Sequence, residues 1–141
     1  MTAKDYLEEL WAEEKNIRRL EHKAADMRQS AMPGGIDYSA PRVDHSATGD
    51  AMPRQVGGYV DLETEIDARR KSLSCRKAIA ATYIAMMRDY DAADVLRRRY
   101  LGRRSYYEIS QDLKMSERKV YYLHGAGLKE LETILIANHA I

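Results

Sequence analysis

The sequence predicts an all-α protein: a long N-terminal helical hairpin or coiled coil with a flexible loop, followed by a C-terminal helix-turn-helix. Three observations carry this expectation. Apolar residues recur at helical spacing over residues 3–29 and again from Tyr59 to Met87. The stretch between them has no period and collects all three Pro with Gly34, Gly35, Gly49, Gly57 and Gly58. Near the C-terminus Ser105 and Ser116 each open a short apolar repeat in the manner of helix N-caps. With 32% charged residues, 45% hydrophobic residues and no Phe, elongated helices are expected rather than one large globular core.

The first element is expected over residues 1–29. Ala3, Tyr6, Leu10, Ile17, Leu20, Ala24 and Met27 form a heptad-like stripe, with Leu7 and Trp11 beside it. Charged residues fill the remaining faces at helical spacings, as with Glu14 and Arg18. Residues 30–58 read as a flexible linker, longer than compact domains normally carry without structure. Asp44 and His45 lie within it, but no second pair stands near them and no metal site is expected. Residues 59–88 predict a second long helix of about 45 Å. Its stripe is Tyr59, Leu62, Ile66, Leu73, Ala80, Tyr83 and Met87, widened by Ile79 and Ile84. This helix is expected to cover the first one antiparallel, or to meet its counterpart in a homo-oligomer. Arg69 and Arg76 at seam positions favour an adjustable or dimeric contact.

Residues 89–141 predict a helix-turn-helix domain with a third helix in front, capped by Asp89 or Asp91. Ser105-Tyr106-Tyr107-Glu108 has the form of a capping box, and Ile109 and Leu113 follow on one face. After Lys114-Met115, Ser116 caps a longer helix lined by Val120, Leu123, Leu128 and Leu131. Two short helices joined by such a turn can lay the second in a DNA major groove. Its N-terminal residues off the apolar face, Glu117, Arg118, Lys119, Tyr121 and Tyr122, are the expected base-contacting set. Arg and Lys donate to guanine, Glu accepts from cytosine, and Tyr packs on a thymine methyl or reaches a phosphate.

The net charge of +1 does not by itself indicate a nucleic-acid partner. The distribution is more informative, because residues 91–131 hold nine Lys/Arg against six Asp/Glu. Five of the nine fall between Arg97 and Arg104, where phosphates would lie. Arg97, Arg99, Arg103 and Arg104, with Ser105 and Ser116, are the expected phosphate-contacting set. A solvated charged face is the plainer alternative for these cations. For Tyr121 and Tyr122 it is packing against the preceding helix, and His124 is expected as either a satisfied packing residue or a phosphate contact.

The same residues resemble a known family. Val95-Leu96-Arg97-Arg98-Arg99-Tyr100 resembles the Val-Leu-Arg-x-Arg-Phe segment that opens the DNA-binding region 4 of bacterial sigma factors. Ser105-Tyr106-Tyr107-Glu108-Ile109 resembles that region's (Ser/Thr)-x-x-Glu-(Ile/Val). Ser116 through Lys119, Val120 and Leu123, then Ala126, Leu128 and Leu131, resembles its recognition helix at the same spacing. The resemblance covers under a third of the chain. It implies that Glu117, Arg118, Lys119, Tyr121 and Tyr122 stand where sigma factors read the promoter −35 element. This chain departs from the pattern in three places. Lys114 occupies a turn position usually held by Gly, and the tyrosine pair replaces polar readers. Gly125 and Gly127 are each expected to weaken the recognition helix by roughly 1 kcal/mol relative to Ala, leaving its second half bent or frayed.

The whole layout is also similar to small phage-encoded regulators with a sigma-region-4-like C-terminus, some of them late-gene activators. The implied function is a sequence-specific DNA-binding transcription regulator acting on duplex DNA with host RNA polymerase. The chain has no room for a promoter-melting domain, so an activator fits better than a complete sigma factor. Two other classes stay open: a small terminase-like or other viral DNA-packaging subunit, and a helical adaptor that binds no DNA. An enzyme is not expected, and neither is a cofactor, because His22, His45, His124 and His139 are scattered and no phosphate loop or metal-spaced cluster appears.

Cys75 is the sole cysteine, which precludes an internal disulfide and suits a reducing cytoplasm, that of the bacterial host if the chain is phage-encoded. Lys4, Asp5, Glu8 and Glu9 interrupt any signal-peptide pattern. The longest apolar run, Ala78 to Met87, is too short to span a bilayer.

Overall fold

A computed structural model describes residues 1–31 and 51–141, and of residues 31 and 51–57 the backbone alone. Asp44, His45 and most of the expected linker lie outside the described residues. Within them the chain is all-α. The elements are α1 (Ala3–Ala31), α2 (Ala51–Ala85), α3 (Tyr90–Leu96) with a π-helical turn (Arg97–Leu101), α4 (Tyr106–Asp112) and α5 (Glu117–Ala137). No helix among the described residues is long and apolar enough to cross a membrane.

The second long helix begins earlier than its sequence suggests, at Ala51 rather than Tyr59. Pro53 falls in its first turn, where backbone N–H groups have no helical acceptor and the missing donor costs nothing. Gly57 and Gly58 are then carried inside the helix, because punctuation by glycine is a weak local preference.

The chain forms two compact units, one of residues 14–72 and one of Met1–Glu13 with Leu73–Ile141. In the unit of residues 14–72, Ile17 and Ala24 of α1 and Ile66 of α2 are buried. Ion pairs flank them. Arg70 binds Glu21, its Nε 3.0 Å from the carboxylate. Arg28 donates to Glu63 at 3.3 Å and to the Tyr59 hydroxyl at 2.7 Å. Ascending positions on α1 meet descending positions on α2, so here the two run antiparallel. Such exposed pairs contribute about 0–1 kcal/mol each, so the apolar stripe supplies most of the stabilisation.

The unit of Met1–Glu13 and Leu73–Ile141 is wider than the expected 89–141 domain. It takes in the first turns of α1 and the last turns of α2. Ala3, Leu7 and Leu10 are buried there, with Leu73, Ala80 and Ile84 from α2 and Met87 from the turn that follows it. Leu7 therefore holds the inner position expected for Tyr6, which is half-buried, and Ile79 is exposed rather than part of the stripe. Asp89 caps α3, accepting from the backbone N–H groups of Asp91 and Ala92 at 3.1 Å each. Ala92, Ala93, Val95, Leu96 and Tyr100 are buried behind it, and α3 and α4 both pack on α5.

Two carboxylates of α5 tie in neighbouring backbone. Glu132 accepts from the Ala3 N–H at 3.1 Å, and Glu130 accepts from the Arg88 N–H. Along α5 the buried positions are Val120, Leu123, Gly127, Leu131 and Leu135. Gly127 takes the inner place expected for Leu128, which is half-buried. The reason is close approach: a Cβ on Gly127 would lie 3.2 Å from both Ala92 Cβ and Leu96 Cδ1. The expected bend or fraying does not occur either, since α5 continues unbroken to Ala137. Packing of Gly127 and its buried neighbours against α3 keeps the helix unbroken despite the weak propensity of the two glycines.

Candidate nucleic-acid interface

The local signals that position this surface are the caps. Ser105 Oγ accepts from the Glu108 N–H at 3.1 Å, and Glu108 accepts in return from the Ser105 N–H at 3.0 Å, a complete capping box on α4. Ser116 Oγ accepts from the Lys119 N–H at 3.2 Å and starts α5. Between the helices Lys114 adopts φ 53°, a left-handed conformation that glycine adopts without strain. Ser105 and Ser116, both expected to touch phosphate, thus already commit their side chains to helix starts.

The expected base-contacting residues are brought together at the outer side of α5. Glu117, Arg118, Lys119, Tyr121 and Tyr122 are all exposed, while Val120 and Leu123 turn inward. Tyr122 is 74% exposed. Tyr121 is 52% exposed, yet its ring lies 4.4 Å from the ring of Tyr106 on α4. Packing and an outward edge are therefore combined at that residue. Arg118 and Lys119 have no carboxylate partner among the described residues.

The arginines before the capping box are differently placed. Arg97 is paired with Asp94. Arg104 binds Asp112 at 2.7 Å, and Arg98 lies 3.5 Å from the same carboxylate. Arg99 is sandwiched between rings, its guanidinium 4.8 Å from the centre of Trp11 and 4.2 Å from that of Tyr106. It donates to the Arg104 carbonyl at 3.1 Å. Arg103 is half-buried with φ 55°. Of the expected phosphate-contacting cations, then, Arg97 and Arg104 are held by carboxylates and Arg99 by aromatic faces. This departs from a simple row of free cations.

That arrangement follows from the backbone. The π-helical turn is closed by the Gly102 N–H donating to the Arg97 carbonyl at 3.0 Å. Gly102 is needed for it, since a Cβ there would lie 2.9 Å from the Arg98 carbonyl oxygen. The turn points Tyr100 inward. Its carbonyl accepts from Trp11 Nε1 at 2.9 Å, and its hydroxyl lies 2.9 Å from His124 Nε2. The Tyr106 hydroxyl is 3.4 Å from the same nitrogen. Burial pushes the Tyr100 hydroxyl up to about 12, with the neighbouring Tyr106 adding to it. Burial, with the Arg99 charge nearby, lowers the His124 imidazole below its ordinary 6.5. His124 is thus a packing and hydrogen-bonding residue beneath the exposed surface.

Sequence reasoning passed over four participants. Trp11 and Tyr106 hold Arg99, and Asp112 engages Arg98 and Arg104. Lys129 continues the exposed face, since Arg118, Tyr122, Gly125 and Lys129 recur at four, three and four residues. Helical periodicity alone could have found Lys129, whereas the other contacts depend on the fold. Among the described residues no cluster of side chains could hold a metal ion. Comparison of the chain with protein-family models, curated proteins and solved structures returns no match.

Proposed function

We propose that this chain is a sequence-specific DNA-binding transcription regulator that inserts the N-terminal turns of α5 into a major groove. The observation that carries the reading is the exposed set Glu117, Arg118, Lys119, Tyr121 and Tyr122, on a helix anchored by its opposite face. Charged and aromatic groups free at the start of a supported helix can reach base edges and phosphates. Burial of Val120, Leu123, Gly127 and Leu131 against the domain keeps that face outward. The resemblance to sigma region 4 and to small phage regulators supplies the rest of the reading. The chain acts on late genes in the host cytoplasm, and the domain also touches RNA polymerase. The long helices serve the fold or a homo-oligomer.

A second reading, a helical adaptor that binds no DNA, draws on the carboxylates at Arg97, Arg98 and Arg104, which lessen the free positive charge. Footprinting of the purified protein on its genomic neighbourhood, with and without polymerase and at two salt concentrations, separates the readings. Protection near a promoter −35 element that strengthens with polymerase is expected. Protection away from promoters without polymerase would instead indicate a packaging subunit, and no protection at either salt would indicate the adaptor.

A further inference from the structure

Two glycines lie in the middle of α5, and packing within the chain accounts for only one. Gly127 is buried and lets Ala92 and Leu96 of α3 approach closely. Gly125 is exposed, and beyond its chain neighbours and the helix's own backbone no atom lies within 4 Å of the place a Cβ would take. Its φ is not positive, so the backbone does not require glycine. A mid-helix glycine weakens a helix relative to alanine, and nothing on the inner side of Gly125 offsets that weakness. The gap it leaves faces outward.

The surroundings of that gap specify what fits it. Gly125 falls on the stripe of Arg118, Tyr122 and Lys129, so the open strip of backbone is bordered by a tyrosine ring and two cations. Arg118, Lys119 and Lys129 have no ion-pair partner among the described residues. Of the nearby α5 carboxylates, Glu130 and Glu132 are engaged by the backbone N–H groups of Arg88 and Ala3. The face therefore suits a polyanion that must come close to the helix backbone. Distance along the helix adds a second constraint. Eight residues separate Glu117 from Gly125, about 12 Å at 1.5 Å per residue. The major groove of B-DNA is also about 12 Å wide.

Resting on the DNA-binding reading, we propose that Gly125 is the point of closest approach between α5 and the sugar–phosphate backbone at the groove wall. The helix crosses the groove from its N-terminal end and meets the wall at Gly125. The missing Cβ lets the strand lie against the helix, and Lys129 reaches the phosphate beyond it. Base reading stays with the residues nearer the N-terminus, so Gly125 sets docking depth rather than sequence preference.

The test compares wild type, Gly125→Ala and Lys129→Ala by thermal melts, size-exclusion chromatography and titration with a randomised duplex library and the sequences that wild type enriches from it. Gly125→Ala is expected to melt at a higher temperature yet bind both duplex pools about tenfold more weakly. Lys129→Ala is expected to reduce the salt slope of binding by about one unit. Gly125→Ala binding as tightly as wild type would overturn the proposal while leaving the DNA-binding reading standing. A changed oligomeric state with unchanged DNA affinity would overturn it in favour of a second copy of the chain at that face. Wild type that binds no duplex at low salt would remove both.

Discussion

Placing one methyl group at Gly127 and the same group at Gly125 should have opposite effects on stability, although the positions are two residues apart on α5. In either place alanine gains roughly 1 kcal/mol of helix propensity. At Gly125 nothing beyond its chain neighbours and the helix's own backbone lies within 4 Å of the new Cβ, so that gain is realised in full. At Gly127 the new Cβ would stand 3.2 Å from Ala92 Cβ, 3.2 Å from Leu96 Cδ1 and 3.3 Å from Leu96 Cγ. Leu96 can rotate slightly, but Ala92 Cβ moves only with its backbone, so α3 must shift outward by a few tenths of an ångström. Overpacking of a tight core costs about 1–3 kcal/mol. The net at Gly127 is a loss of about 1 kcal/mol, leaving the two variants roughly 2 kcal/mol apart. Urea unfolding followed by circular dichroism reads this as displaced midpoints at constant slope. Gly127→Ala equal to or more stable than Gly125→Ala would refute the α3–α5 packing described above.

Three further outcomes follow from individual residues. Lys114→Gly should stabilise the protein by about 1 kcal/mol, because φ 53° strains a side-chain-bearing residue; denaturant midpoints showing a loss would contradict the turn geometry. Asp112→Asn releases Arg98 and Arg104 from their shared carboxylate, so duplex binding should tighten and its salt slope should steepen by about one unit. A titration across salt with unchanged slope would remove Arg104 from the phosphate set and leave Arg98 outside it. His124 binds its proton more weakly folded than unfolded, so the unfolded chain takes up protons preferentially below about pH 6.5. Stability should therefore fall as pH drops through that range. Tyr100 keeps its proton to about 12 when folded, so stability should also fall as pH rises above 10. Midpoints measured across pH, compared with those of His124→Asn and Tyr100→Phe, check both limbs; a variant that retained its limb would refute the assignment.

What the sequence disclosed was local or periodic. Ser105 and Ser116 announce helix starts, and the Asp89/Asp91 pair announces a third that the structure assigns to Asp89, because a cap is made by residues within three positions of one another. The all-α class follows from apolar spacing, and so does the outward set from Glu117 to Tyr122. Long-range contacts were not legible. Gly127 displaces Leu128 from the inner row only because α3 comes so close. Trp11 and Arg99 stack although they are far apart in sequence, and neither residue's neighbours indicate it. The arginine run reads as a phosphate grip until Asp112, at the end of α4, is brought against it by the fold. The early start of α2 was hidden because Pro53 signals a break in general and none in a first helical turn.

The central claim is that the N-terminal face of α5 reads duplex sequence. Selection from randomised duplexes by wild type and by Arg118→Ala, followed by affinity measurement on the enriched sequences at fixed salt, tests it most directly. Wild type should enrich a defined sequence, and Arg118→Ala should bind it about 1–3 kcal/mol more weakly with relaxed preference at one position. An undiminished preference in Arg118→Ala, or no enriched sequence for wild type, would contradict it.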